Sequence, residues 1–288
     1  DDFAKPADLL VRALNEILDY QNYPIMAAEM GTKSRRPLGI GLINLAYWMA
    51  KNNMTYSEPN FELIHEWAEA WSYYLIKASV DLAEERGEAP SKINETKYAD
   101  GIFPIDTYKK NVDNLVKPKY NMDWKGLKAR AKKFKIYNST LMALMPSETS
   151  SQISNATNGV EPPKSLISVK ESKHGVFKQV VPSIQRYKNK YELVWDQKSP
   201  KGYLGIMAVL QKFIDQAISV NTSYNPKHYD NNELPMSELL KDLVYHYSMG
   251  GKTLYYFNTN DQSSDEEEEP TSNNHGVIFE DDCDSCKI

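Results

Sequence analysis

The chain has 288 residues, about two average domains by the rough prior of 150 residues each, or one α/β barrel. Its 41% hydrophobic and 25% charged composition is that of a globular protein, and no apolar run approaches the roughly 18–20 residues that span a bilayer. The net charge of −5 is unevenly placed: residues 258–288 carry ten acidic side chains against Lys287, which leaves residues 1–257 at +4. A body so mildly basic, with scattered lysines, argues against a nucleic-acid partner and readily accommodates a phosphorylated small molecule. Both cysteines, Cys283 and Cys286, fall in the last six residues. They cannot form a disulfide framework, so the expected compartment is a reducing one, the cytoplasm. The start Asp1-Asp2-Phe3 carries no signal peptide, and a fragment, a processed chain or one half of a split protein is expected.

In chain order, a first helix is predicted over Ala7–Tyr20, with Leu9, Leu10, Ala13, Leu14, Ile17 and Leu18 as its apolar stripe. Arg35-Arg36-Pro37-Leu38-Gly39-Ile40-Gly41 reads as a short strand whose glycines permit close backbone approach, followed by an apolar helix through Lys51. It lacks the third glycine of a dinucleotide fingerprint. The longest helix is predicted over Glu58–Arg86, with Phe61, Ile64, Ala68, Trp71, Leu75, Ala78 and Leu82 forming a core seam. His65 on it lacks the second histidine of a zinc helix and is expected to be solvated or hydrogen-bonded. A basic helix follows at Asp123–Phe134.

Asn138–Met145 reads as a buried strand that ends at a helix start, Pro146-Ser147-Glu148-Thr149-Ser150, with proline at the first helical position. Such a start can leave backbone N–H groups facing an anion, or it can be a plain helix cap. Leu166–Val169 and Gln179–Val181 are strand pieces. Gly202–Ile218 is predicted to be a helix with Ile206, Val209, Leu210, Phe213, Ile214 and Ala217 inward. Another helix begins at Pro235 and ends at Gly250-Gly251, and the strand Lys252–Phe257 follows it. The alternation of helices and strands gives an α/β class. Residues 258–288 form a second unit, an acidic disordered tail, whose roughly 25-residue tether would span about 25–30 Å on average.

The tail carries Cys283-Asp284-Ser285-Cys286, which could close a disulfide, bind a soft metal or be incidental. Zinc would need two further ligands where only His275 is near in sequence, whereas exchange with an external disulfide needs only the thiols and reach, so redox shuttling is favoured. Tyr255-Tyr256 would place one ring on each face of a regular strand. Two consecutive tyrosines ahead of a dithiol also suit an electron and proton relay. That use requires the backbone to leave regular geometry so that both rings lie together, with their hydroxyls facing into a barrel.

Several motifs carry a resemblance: Arg36–Gly41, Gly101-Ile102-Phe103-Pro104-Ile105-Asp106-Thr107-Tyr108, Asn138-Ser139-Thr140, Met145–Gly159 with Glu161-Pro162-Pro163, Lys212–Gln216, Lys252–Tyr256 and the terminal Cys283–Cys286. Over nearly its whole length the chain resembles the C-terminal part of the large, catalytic subunit of class I ribonucleotide reductase. The resemblance implies the C-terminal half of a ten-stranded α/β barrel with surrounding helices over residues 1–257. It implies that Pro146, Ser147, Glu148, Thr149 and Ser150 hold the substrate diphosphate, Glu148 through its backbone N–H. By the same likeness, Tyr255 and Tyr256 end the radical path, and Cys283 and Cys286 re-reduce the active-site disulfide, at a spacing closer than the family often shows. The implied reaction reduces ribonucleoside diphosphates to deoxyribonucleoside diphosphates. No metal or cofactor is expected on this chain: a di-iron small subunit supplies the radical, and thioredoxin or glutaredoxin supplies electrons. The family's radical cysteine, reducing cysteines and catalytic carboxylate and asparagine are absent from this sequence, as are its regulatory nucleotide sites. An N-terminal large-subunit chain is therefore the expected partner. The small subunit's tail is expected at the helix Met236–Tyr247, unless that helix is plain core. The rival reading is a non-catalytic α/β binding module whose tail dithiol takes a metal or redox partner.

Overall fold

Gly41 marks a point where two backbones come close: a Cβ there would lie 2.4 Å from the Ala143 carbonyl oxygen and 2.9 Å from Met145 Sδ. With glycine in place, Leu38–Ile40 runs parallel to Thr140–Ala143. Leu38 N–H donates to Thr140 O (3.0 Å), Ile40 N–H to Leu141 O (2.8 Å) and Ala143 N–H to Ile40 O (3.2 Å). Gly41 thus serves the expected backbone approach, while a Cβ at Gly39 would meet only side chains, the nearest being Ala143 Cβ at 3.4 Å.

The computed structural model describes residues 2–145, 147–172 and 175–260. Its helices are α1 (Ala4–Tyr20), α2 (Met26–Arg35), α3 (Leu45–Lys51), α4 (Phe61–Arg86), α5 (Pro104–Thr107), α6 (Trp124–Phe134), α7 (Glu148–Ile153), α8 (Ile184–Tyr187), α9 (Lys201–Gln211) and α10 (Met236–Met249). Strands β1 (Ile167–Ser172) and β2 (Gly175–Val180) form an antiparallel hairpin, while β3 (Ser219–Tyr224) and β4 (Thr253–Thr259) pair in parallel. The mixed helix and strand content agrees with the α/β expectation. The described strands, however, form two separate two-stranded sheets and one isolated parallel bridge, and no closed barrel exists among the described residues. β4 continues to Thr259, two residues past Phe257, the expected end of the body.

Helix α4 obeys its sequence. Ile64, Ala68, Leu75, Ala78 and Leu82 are buried, Asn60 Oδ1 caps the Leu63 N–H at 3.0 Å, and Gly87 closes the helix at φ +66°. It packs against α1, α6 and α9. His65 takes the hydrogen-bonded alternative: it is buried with Nε2 3.0 Å from Lys212 Nζ, which also pairs with Asp113 (3.1 Å) and lies 4.3 Å from the Tyr108 ring centre. Burial, and then the Lys212 charge, push the imidazole down to about 4.

The motif residues Arg36 and Asn138 form a buried polar knot. Arg36 Nε donates to Asn15 Oδ1 (2.8 Å), and its two terminal nitrogens take both Asp19 oxygens at 2.7 Å. Asn138 Nδ2 donates to Asn15 Oδ1 (3.0 Å) and to the Arg36 carbonyl (2.8 Å), while Ser79 Oγ donates to Asn138 Oδ1 (2.8 Å). Every buried group has a partner, which fixes α1 and α4 onto the parallel backbones.

Three expectations change. Helix α9 stops at Gln211 rather than Ile218, because the Gln211 side chain donates to Ile214 O (3.0 Å) and Gln216 O (2.9 Å) and accepts from Ile218 N (3.0 Å). Those bonds replace the next helical turn, leave Ala217 exposed and launch β3. In α1 the inward face is Ala7, Val11 and Asn15, while Leu9 (65% exposed) and Ile17 (54%) of the expected stripe point outward. In α10 most of the expected stripe is turned outward: Asp242 and His246 are the buried residues, Leu239 is half-buried, and Met236, Leu240, Leu243, Val244 and Tyr247 are exposed. Tyr224 OH meets Asp242 Oδ2 (3.1 Å), and His246 Nε2 meets Thr253 O (3.1 Å), so polar contacts hold this helix to the body.

Asp215 joins the parallel segments. Its carboxylate accepts from Leu141 N (2.7 Å), Met142 N (3.1 Å) and Tyr98 OH (2.8 Å), and its carbonyl accepts from Lys252 Nζ (3.0 Å) at the start of β4. Burial pushes the carboxyl above its usual range, and these hydrogen bonds oppose that push. Replacing Asp215 by leucine leaves two backbone N–H groups without acceptors, so we expect a loss of about 2–4 kcal/mol in denaturant unfolding. The exposed Asp230→Ala control should stay within about 0.5 kcal/mol, and equal midpoints for the two variants would remove Asp215 from this role.

Candidate functional site

Ser147 is the first described residue of the sequence-predicted anion segment; Pro146 lies outside the described residues. Ser147 is buried, at 7% exposure. Its N–H and Oγ both reach Asn158 Oδ1 (3.1 and 3.0 Å), and Oγ accepts from Gly159 N (3.0 Å). The loop closes further through Asn44, whose Oδ1 accepts from Thr157 N (2.9 Å), and Gly159 adopts φ +53°. Helix α7 therefore begins at Glu148 with Ser147 at its N-cap, not with proline at the first helical position. In the first turn the N–H groups of Glu148, Thr149 and Ser150 have no intrahelical acceptor, the arrangement that suits an anion. Thr149 and Ser150 are exposed. The Ser147 hydroxyl is already engaged within the loop, so its contribution is to shape the segment.

At the other candidate, Tyr255 and Tyr256, the strand is not regular. Val220 pairs with Leu254 and Thr222 with Phe257, so the single residue Asn221 opposes two residues of β4. This is a β-bulge, which inserts one residue and re-aims its side chains. The rings consequently lie together, with centroids 4.0 Å apart, planes tilted by 50° and hydroxyl oxygens 3.0 Å apart. Both stay open to solvent, at 57% and 53%, rather than enclosed in a barrel. Cys283 and Cys286 lie outside the described residues.

The sequence model of the family described as "Ribonucleotide reductase, barrel domain" matches residues 1–257. The chain belongs to this family. Curated relatives include the "Ribonucleoside-diphosphate reductase subunit alpha" of Buchnera aphidicola subsp. Acyrthosiphon pisum, 54% identical over 260 residues, or 90% of this chain and 34% of the relative. The "Ribonucleoside-diphosphate reductase 1 subunit alpha" of Escherichia coli (strain K12) is 52% identical over 243 residues, covering 84% of this chain and 32% of the relative. The subunit alpha of Enterobacteria phage T4 is 43% identical over 285 residues, covering 98% of this chain and 37% of the relative. The chain thus spans about a third of the length of the curated relatives it matches.

Within this barrel-domain chain, sequence reasoning named the anion segment and the tyrosines but not the side chains that shape them. Asn158 sat inside a quoted motif without a role, and Asn44 and Asn221 drew no attention. A short amide opposite two aromatic residues becomes meaningful only once the strand register is known. Among the described residues no helix is long and apolar enough to cross a membrane. Ser147→Ala should cost about 1–3 kcal/mol of stability, because the Gly159 N–H loses its acceptor and Asn158 a donor. Thr149→Ala and Ser150→Ala should stay within about 0.5 kcal/mol. Thermal unfolding of the three variants checks this ordering, and an inert Ser147→Ala would contradict it.

Proposed function

We propose that this chain is the C-terminal part of a ribonucleoside-diphosphate reductase large subunit, acting together with an N-terminal large-subunit chain and a di-iron small subunit. The names of the relatives supply the reaction: a ribonucleoside diphosphate becomes a deoxyribonucleoside diphosphate. Exchanging a ribose C–OH for C–H consumes two electrons and two protons and releases water. In this reading the chain performs three tasks. The segment Pro146–Ser150 holds the substrate diphosphate, through the first-turn N–H groups of α7 with Thr149 and Ser150, and Ser147 shapes the loop. Tyr256 and then Tyr255 pass the radical toward the cysteine of the N-terminal chain, so that an electron and a proton move the opposite way, from that thiol to the Tyr255 phenoxyl and from the Tyr255 phenol to the Tyr256 phenoxyl. Cys283 and Cys286 return two electrons by thiol–disulfide exchange and are themselves re-reduced by thioredoxin or glutaredoxin.

The hydroxyl contact at the bulge carries this reading. A strand gives up a ladder position and brings two exposed phenols to 3.0 Å, which packing alone does not require. The outward apolar stripe of α10 supports a further assignment, the docking face for the small subunit's C-terminal tail. Its members at Met236, Leu240, Leu243, Val244 and Tyr247 recur at helical spacing.

Reconstitution tests the whole. The chain mixed with an N-terminal large-subunit chain, the small subunit and a dithiol should form deoxyribonucleoside diphosphate, and omission of any protein should stop it. Turnover by this chain with the small subunit alone would overturn the division of labour. In the reconstituted assembly, Tyr255→Phe and Tyr256→Phe should each abolish turnover while substrate affinity and thermal midpoint hold, and an active phenylalanine variant would defeat the relay. Val244→Asp should weaken capture of the small subunit, and unchanged capture would free α10 of that role.

The tail has its own signature. Cys283→Ser with Cys286→Ser should end multiple turnover on thioredoxin or glutaredoxin, yet leave a single turnover and activity with small dithiols. Loss of the single turnover as well would place these thiols at the substrate instead of on a shuttle.

A further inference from the structure

A bulge interrupts the regular ladder, and in β4 the interruption falls at Tyr255 and Tyr256. The Tyr256 N–H donates to the side-chain oxygen of Asn221 at 3.0 Å. The Asn221 Nδ2 in turn donates to Glu161 Oε1 at 2.8 Å. Glu161 stands two residues beyond Gly159, whose N–H is held by Ser147 Oγ, and between them the Val160 carbonyl is pinned by Tyr56 OH at 3.0 Å. A continuous set of hydrogen bonds and short backbone steps therefore runs from the α7 loop to the tyrosine pair.

We infer that Asn221 is the positioning residue of the tyrosine relay, its amide holding the β4 bulge open so that the Tyr255 and Tyr256 hydroxyls stay within hydrogen-bond distance, and that Glu161 sets the orientation of that amide. The inference rests on the relay reading above.

Residue chemistry explains the choice. The position must accept one hydrogen bond from a backbone N–H and donate another to a carboxylate, from a side chain short enough to stay opposite the bulge. Asparagine carries an acceptor and a donor on one planar group. Aspartate offers no donor and would set a second carboxylate against Glu161, while serine has a single oxygen for both tasks. With Glu161 in place only one amide orientation is satisfied, Nδ2 toward the carboxylate and Oδ1 toward Tyr256. Burial pushes the Glu161 carboxyl above its usual range, and the Asn221 bond counters that push. Losing the Asn221 contact would take that acceptor from the Tyr256 N–H and let the strand slip toward regular pairing, in which adjacent rings face opposite sides.

The test uses the reconstituted assembly. Asn221→Leu should lower kcat roughly 10- to 100-fold, as expected when reacting groups are misplaced by about 1 Å, with KM for the nucleoside diphosphate unchanged. Hydrogen exchange at the Tyr256 amide should quicken in the same variant. Glu161→Leu should follow it more weakly, and Glu161→Gln, which keeps an acceptor for Nδ2, should recover most of the loss. If Asn221→Leu does not fold, Glu161→Leu and Asn221→Asp carry the same measurements. Wild-type kcat and slow Tyr256 exchange in the Asn221 and Glu161 variants, while both phenylalanine variants are dead, would overturn the inference and leave the relay standing. Active phenylalanine variants would overturn both.

Discussion

One carboxylate ties the parallel segments together. Asp215 receives the N–H groups of Leu141 and Met142 and the hydroxyl of Tyr98, while its own carbonyl takes Lys252. Next to it, Gln216 donates through Nε2 to Leu38 O and through its backbone to Met142 O. The strand leading to the anion loop, the backbone at Leu38 and the first residue before β4 thus share one point of attachment. A buried charge satisfied from several directions is costly to disturb, so it holds these segments in register. Both candidate elements hang from it: the loop at Ser147 lies five residues beyond Met142, and the bulge lies three residues beyond Lys252.

How much of this was legible depended on whether local sequence or a distant partner decided the outcome. Helix α4 was legible because its seam, its Asn60 cap and its Gly87 stop all point the same way. Gly39 and Gly41 announced a close approach, and the Ala143 carbonyl supplies its reason. The end of α9 was not legible, since Phe213 and Ile214 continue the apolar spacing and only the Gln211 side chain, folded back on three backbone groups, breaks the helix. Strand β3 was hidden by its polar residues, yet Val220, Thr222 and Tyr224 alternate inward with the period of two that a strand requires.

The two partly inverted helices teach a narrower lesson. Hydrophobic periodicity located α1 and α10 correctly but gave an inward face that is right only in part, Leu14 and Leu18 packing against the core while Leu9 and Ile17 do not, because it assumes that apolar side chains meet this chain's own core. In α10 the inward contacts are Asp242 with Tyr224 and His246 with the Thr253 carbonyl. Tyr245 and Met249 add apolar contacts with the core, and most of the apolar stripe is left exposed.

The bulge at Tyr255 and Tyr256 also sets folding against use. A β4 shorter by one residue would pair with β3 without interruption, and the ladder would gain the regular bond that the insertion displaces. Deleting either tyrosine would restore the one-to-one count between β3 and β4, while it removes one of two adjacent phenols. The strand thus keeps an insertion that its ladder does not need, and with it two phenols side by side.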